Sequence, residues 1–192
     1  MPTFTVVGGA NGAGKTTLTR WGREGFQESA ALDPDAIALS LQTAIPEGGS
    51  VIDAGRAVLT MAEKLLADNQ SFLVETTLSG NTYLKMIARA RAIGYRTILL
   101  YVGTADVSIN LQRVRVRVAK GGHDVPEEDQ LRRYPRSLEN LRRALEVVDE
   151  AVLFDNSTSL GPVKVAIKTE GRIELFEPLP EWAAFLRNQR AG

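Results

Sequence analysis

The sequence predicts an α/β protein of the P-loop NTPase class. The expected form is a three-layer α/β/α arrangement with a parallel five-stranded core sheet, an arginine-rich helical lid, and a C-terminal β-hairpin plus short helix. Three observations carry this. The run Gly9-Ala10-Asn11-Gly12-Ala13-Gly14-Lys15-Thr16-Thr17 satisfies glycine, four residues, then glycine-lysine-hydroxyl. Such a loop turns its backbone N–H groups around phosphate oxygens, while the lysine reaches the β- and γ-phosphates and the hydroxyl ligates Mg²⁺. Short apolar runs alternate with segments of helical period along the chain, as in a parallel sheet with crossover helices. Finally, arginines crowd the stretch 113–136.

Composition bounds the function. A chain of 192 residues is enough for a single domain, 1–192, with a real core. Lys+Arg and Asp+Glu are 23 each, which argues against a large nucleic-acid or membrane surface. The chain has no cysteine and a lone histidine, His123, so thiolate metal sites, cysteine nucleophiles and histidine ligand clusters are excluded. No apolar run is long enough to span a bilayer, and Met1 leads almost directly into a strand rather than a signal peptide. A cytoplasmic enzyme is the expectation.

Thr3–Val7 alternates and is β-prone, so it reads as a strand entering the loop. Lys15–Arg23 reads as a helix whose N-terminal dipole faces the phosphates. Ser29–Leu32 reads as a short strand. Asp33-Pro34-Asp35 ends it at the carboxyl edge of the sheet, where ligands bind in open parallel folds. For both Asp33 and Asp35, helix capping is the competing reading. Ser50–Asp68 carries Val51, Ala54, Val58, Ala62 and Leu65 at helical spacing, a core-facing helix without chemistry of its own. Phe72–Val74 is a buried strand ending in Glu75, Thr76 and Thr77. An acid there serves a metal-water or substrate contact, or is simply satisfied by backbone N–H groups. Ser79–Asn81 opens a helix through Arg91, closed by Gly94.

Tyr95–Val102 is the next strand, and Asp106 caps the helix after it. Arg113–Val118 alternates like a strand, but Val107, Leu111, Val114 and Val118 recur at helical spacing with no turn signal across 105–119. A helix is expected there, with Arg113, Arg117 and Lys120 on one face. Like charges so spaced are mildly destabilising unless an anion lies near, which points to a phosphate-facing lid; a solvated basic face is the alternative. Lys120–Pro126 is a Gly-Gly loop. Glu127–Val148 is helical, with an expected apolar stripe of Leu131, Leu138, Leu141, Leu145 and Val148 and an expected kink or break at Pro135. Arg132, Arg133 and Arg136 flank that proline. The lid is taken as about 104–148. Ala151–Phe154 is a last buried strand with a polar exit at Asp155–Thr158. Val163–Lys168 and Arg172–Phe176 form a hairpin across Glu170-Gly171, and Pro180–Asn188 is a short amphipathic helix.

The motifs GGANGAGKTT (8–17), LDPDAIA (32–38), FLVETTLSG (72–80), RVRVRVAKGGHDVPEEDQLRRYPRSLENL (113–141) and LFDNS (153–157) resemble, in this order, the zeta-toxin family of P-loop kinases. The resemblance implies ATP- and Mg²⁺-dependent phosphorylation of a hydroxyl on a nucleotide sugar, with UDP-N-acetylglucosamine the family's acceptor, and a possible antitoxin partner. It carries Gly9, Ala10, Asn11, Gly12, Ala13, Gly14, Lys15, Thr16 and Thr17 to the nucleotide, with Thr16 as the Mg²⁺ ligand. Asp35 matches the acid that takes the acceptor proton, and Glu75 and Thr77 match acceptor-binding positions. Arg117, Arg133 and Arg136 match lid arginines, the first two on the transferred phosphate and Arg136 on the acceptor. Within the same matched stretches His123 is assigned to the acceptor and Asn156 to the nucleotide. The chain lacks the long extension after the kinase core of larger members.

Other readings of the same residues stay open. A metabolic or antibiotic-modifying small-molecule kinase would share this core. A polynucleotide kinase would use Arg113–Arg143 as a backbone groove. A regulatory nucleotide switch needs guanine-reading segments, and no Asn-Lys-x-Asp run is present.

Overall fold

The computed structural model describes residues 1–21, 30–32 and 51–189. Asp33, Asp35 and the remainder of 33–50 lie outside the described residues, as do 22–29 and the last three positions. In order, the elements are β1 (Thr3–Gly8), α1 (Lys15–Trp21), β2 (Ala30–Leu32), α2 (Val51–Ala67), β3 (Phe72–Thr76) and α3 (Thr82–Ala92). Next come β4 (Arg96–Gly103), α4 (Val107–Ala119), α5 (Glu127–Val147), β5 (Glu150–Asp155), β6 (Val163–Thr169) and β7 (Arg172–Leu175). A 3-10 helical segment, Glu181–Gln189, closes the chain.

The strands form a mixed sheet in the order β2-β3-β1-β4-β5-β6-β7. The first five are mutually parallel, as expected, and β6 and β7 add antiparallel at one edge. The hairpin therefore joins the core sheet, making seven strands rather than five with a separate ribbon. Its turn places Glu170 and Gly171 at φ 49° and 76°, the mirror-image turn that matches strand twist.

The apolar runs explain the layering. Phe4, Val6, Phe72, Val74, Leu99, Ala151 and Leu153 are buried, as continuous strands covered on both faces must be. Phe4 and Phe72 stack at 4.5 Å between ring centroids across β1 and β3. Helices α2 and α3 contribute Val58, Ala62, Leu66, Ile87 and Ala90 to the same core. β4 pairs with β1 on the side away from β3, so the strand order changes direction around β1. The carboxyl end of a strand at such a switch point is where open α/β sheets bind ligands, and the phosphate loop leaves β1 there.

Helix α5 departs from its expected shape in two ways. It is one continuous α-helix across Pro135, so of the kink or break expected there the break does not occur. Of the expected stripe, Leu141, Leu145 and Val148 are buried and Leu138 packs on the core, but Leu131 is 46 % exposed, and the polar Gln130, Ser137 and Asn140 share the buried face. The reason is that the surface it covers offers polar partners. Ser137 Oγ meets Tyr101 OH at 2.9 Å, and Asn140 Nδ2 donates to the Leu78 carbonyl at 2.9 Å. Tyr134 OH donates to the Thr104 carbonyl at 2.8 Å. Burial raises the phenol pKa of both Tyr101 and Tyr134, keeping both neutral.

Candidate active site

The loop between β1 and α1 forms one wall of a cavity of about 230 Å³. Asn11, Gly12, Gly14, Lys15, Thr16 and Thr17 line that wall. Glu75 enters from the end of β3, and Arg113 and Arg117 from α4. The parallel register puts β3 beside β1, with Gly8 opposite Thr76, so a carboxylate at position 75 necessarily emerges next to the loop.

Small residues are required here by contact as well as by phosphate approach. Gly14 has φ 104°, and a Cβ on it would lie 2.4 Å from Asn156 Nδ2. Asn156 is buried and donates to the Ala13 carbonyl at 2.7 Å. The structure thus sets Asn156 against the underside of the loop and outside the residues that line the cavity. Lys15 Nζ donates to the Gly9 and Ala10 carbonyls at 2.8 and 3.1 Å, which holds the ammonium across the loop mouth.

Thr16 Oγ1 donates to Glu75 Oε2 at 3.0 Å. Glu75 is only 6 % exposed. A buried carboxylate beside a hydroxyl at the phosphate loop is a donor set suited to Mg²⁺, which takes one or two protein oxygens and keeps waters and phosphate oxygens for the rest. Glu75 thereby sits beside Thr16 of the phosphate loop, where the metal-water contact expected of a strand-end acid would fall.

The arginines separate into two groups. Arg113 and Arg117 share the face of α4 that meets the cavity. Arg113 donates to the carbonyls of Asn156 and Thr158 at 2.7 and 3.2 Å, and Arg117 to that of His123 at 2.8 Å. These carbonyls offset the like-charge spacing. By contrast Arg133 pairs with Asp129, one turn back on its own helix, at 2.9 Å, and Arg132 pairs with the same carboxylate. Arg136 is exposed. His123 meets the site through its backbone carbonyl, and Thr77 shares a hydrogen bond of 2.9 Å with Ser79. Thr77, His123, Arg133 and Arg136 are not among the residues that line the cavity. Among the described residues no three His, Cys, Asp or Glu side chains cluster as a metal site, and no helix is long and apolar enough to cross a membrane.

Arg113, expected with Arg117 on the phosphate-facing side of α4, lines the cavity beside it, as their i, i+4 relation implies. The Asp129–Arg133 pair was equally visible as an i, i+4 spacing. Asn110 and Asn140, both buried, left no such signal.

A strand, glycine-rich loop and helix at the centre of a 2-3-1-4-5 parallel sheet, with a lysine, a hydroxyl-carboxylate pair and two arginines around one cavity, define the P-loop fold and its phosphate site. The chain belongs to the zeta toxin family, whose model matches residues 1–160. An uncharacterized protein of Haemophilus influenzae is 34 % identical over 120 residues, covering 62 % of this chain and 84 % of that one. Among solved structures, the AvrRxo1-ORF1:-ORF2 complex with ATP matches with a TM-score of 0.73 at 16 % identity, over 99 % of this chain. The chain spans 64 % of the length of that protein. The PezAT toxin-antitoxin system of Streptococcus pneumoniae matches with a TM-score of 0.57 at 21 % identity, over 81 % of this chain and 68 % of that one. Both likenesses are of fold.

Proposed function

We propose that this protein transfers the γ-phosphate of ATP to a hydroxyl of a nucleotide sugar, with UDP-N-acetylglucosamine as the first acceptor to test. The observation that supports this most is the shared cavity: Lys15, Thr16, Glu75, Arg113 and Arg117 converge on one phosphate loop. Family membership supports the same chemistry.

The chain's own residues divide the work. The loop N–H groups and Lys15 bind the β- and γ-phosphates, and Arg113 and Arg117 bring forked donors to the charge spread over the transferred group. Thr16 and Glu75 would hold Mg²⁺, which, when bound, neutralises charge between the β- and γ-phosphates. Asp35 takes the proton of the acceptor hydroxyl. The new O–P bond forms as the bond from the γ-phosphorus to the β-phosphate oxygen breaks, and ADP leaves. Glu75 serves the metal side before the acceptor side, given its bond to Thr16. Thr77, His123, Arg133 and Arg136 belong to the acceptor half and the lid in this reading. They would reach the reacting groups only as 104–148 closes, excluding the water that would otherwise hydrolyse ATP. Asn156 supports the nucleotide through the loop it braces.

The AvrRxo1 and PezAT structures are named as complexes or toxin-antitoxin systems, which supports an antitoxin as a partner here. The test is Asp35→Ala assayed with ATP and UDP-N-acetylglucosamine. Turnover should fall at least a hundredfold while ATP affinity holds, since a positioned base contributes about 10²–10⁴. Full activity in that variant would sink the base assignment.

A further inference from the structure

The turn that leaves β5, residues 155–158, is tied to several sides of the phosphate site. Asn156 donates its backbone amide to the Gly103 carbonyl at 2.9 Å and its side chain to the Ala13 carbonyl of the loop at 2.7 Å. The carbonyls of Asn156 and Thr158 accept the two terminal nitrogens of Arg113 at 2.7 and 3.2 Å. Both arms of that guanidinium are thus set by the turn, so the path of the turn decides how Arg113 enters the cavity it lines.

A group from the far end of the chain holds this turn. Trp182 belongs to the closing 3-10 segment, past the residues 1–160 that the family model matches. Its indole Nε1 donates to Asp155 Oδ1 at 2.8 Å, and the same oxygen accepts from Ser157 Oγ at 2.7 Å. Ser157 Oγ in turn accepts from the Ala105 amide at 2.8 Å, just before α4. The ring also presses on the end of β4: a Cβ at Gly103 would lie 2.4 Å from indole Cε2. Gly103 is the residue whose carbonyl takes the Asn156 amide, so the indole meets the turn by two routes. Covering apolar surface does not account for Trp182, because a phenylalanine would do that without an N–H. The indole N–H instead makes a bond to a carboxylate, the stronger, charge-assisted kind.

We propose that Trp182 is a positioning residue of the ATP site. Through Asp155 it fixes the turn 155–158, and through the Asn156 and Thr158 carbonyls it sets the aim of Arg113 at the phosphates. The C-terminal segment is then a working part of the nucleotide site as well as a cover for the sheet. This rests on the reading of the cavity as the ATP site given above.

The test is a cycle on the full chain of Trp182→Phe, Arg113→Ala and the double variant, read by calorimetry with a non-hydrolysable ATP analogue and Mg²⁺. Trp182→Phe keeps a ring against Gly103 and removes only the N–H. It should weaken analogue binding about fivefold, the scale of one hydrogen bond. Once Arg113 is alanine, the same substitution should cost less than about twofold, since the two act as one unit. Asp155→Ala should match the loss of Trp182→Phe and add little to it, whereas Asp155→Asn, which keeps an oxygen for the indole, should retain most of the affinity. Gly103→Ala, which pushes the indole aside without altering it, should give the same loss, and it carries the cycle if Trp182→Phe does not fold. Equal losses with and without Arg113 would overturn the proposal, because the indole would then serve stability alone. Unchanged affinity in Trp182→Phe overturns it too. A wild type that binds no ATP analogue overturns both this proposal and the kinase reading. A wild type that binds the analogue but phosphorylates no nucleotide sugar counts against that acceptor, and the cycle still decides the role of Trp182.

Discussion

Replacing Asn140 by leucine should destabilise the fold and disturb the segment after Glu75, without touching the phosphate loop. The side chains have similar volumes, so the loss is of hydrogen bonds rather than packing. Asn140 is 5 % exposed and donates to the carbonyls of Leu78 at 2.9 Å and Gly80 at 3.3 Å. Gly80 is exposed, so water can replace that bond. Leu78 is fully buried, so its carbonyl would be stranded, at about 1–3 kcal/mol. Leu78 also has φ 54°, a conformation that a branched residue keeps only when its surroundings enforce it. Its amide bonds to Thr76 Oγ1 at 3.1 Å and Asn140 grips its carbonyl, so Asn140 supplies half of that enforcement. Arg143, which donates to Asn140 Oδ1 and Asn81 Oδ1, loses one of its two anchors. Urea denaturation should show a lower midpoint with an unchanged slope. Thermal unfolding should fall by about 2–4 °C per kcal/mol at this chain length. Affinity for the ATP analogue should hold, while the KM for the acceptor rises. A midpoint unchanged within error would refute the reasoning that the Asn140 hydrogen bonds help to fix the buried face of α5.

Two further outcomes rest on contacts elsewhere. Gly14→Ala should abolish ATP binding detectable by calorimetry while the protein stays folded, because the new Cβ meets Asn156 Nδ2 and the left-handed φ is lost at the centre of the loop; retained affinity would contradict that geometry. Asp149 lies at the junction of α5 and β5, where burial raises its pKa but the Thr97 amide and hydroxyl and Arg91 outweigh it and hold it below 3.8. A depressed carboxylate contributes stability that is present above 3.8 and is lost as pH falls through its lower folded value. In urea titrations from neutral pH downward, Asp149→Asn should therefore be the less stable protein at neutral pH. The gap should close only below 3.8; a gap that stays constant through the acid limb would refute it.

Much of the scaffold was legible because its signals are local. The loop spelling, the apolar runs of β1, β3 and β4, and the glycine at 171 each state their element without reference to distant contacts. Helix α4 was readable against its own alternation, since Val107, Leu111, Val114 and Val118 outvoted the Arg-Val repeat. The buried face of α5 was readable in part: Leu141, Leu145 and Val148 are buried as their spacing predicts. Leu131 looked like part of the stripe but is exposed, while Ser137 and Asn140 join it because Tyr101 and Leu78, far along the chain, present a phenol and a carbonyl there. The site divides in the same way. Lys15, Thr16 and Glu75 are dictated by the loop and a strand end. The separation of Arg113 and Arg117 from Arg133 depends on Asp129 and on which face of each helix meets the cavity.

The most direct test of the account is to incubate the protein with γ-labelled ATP, Mg²⁺ and a panel of nucleotide sugars, and to track the label by chromatography and mass spectrometry. Label should appear on a nucleotide-sugar hydroxyl, UDP-N-acetylglucosamine first among them, with ADP released in equal amount and the product absent for Asp35→Ala. Label found only as free phosphate across the whole panel, or on RNA ends instead, would contradict it.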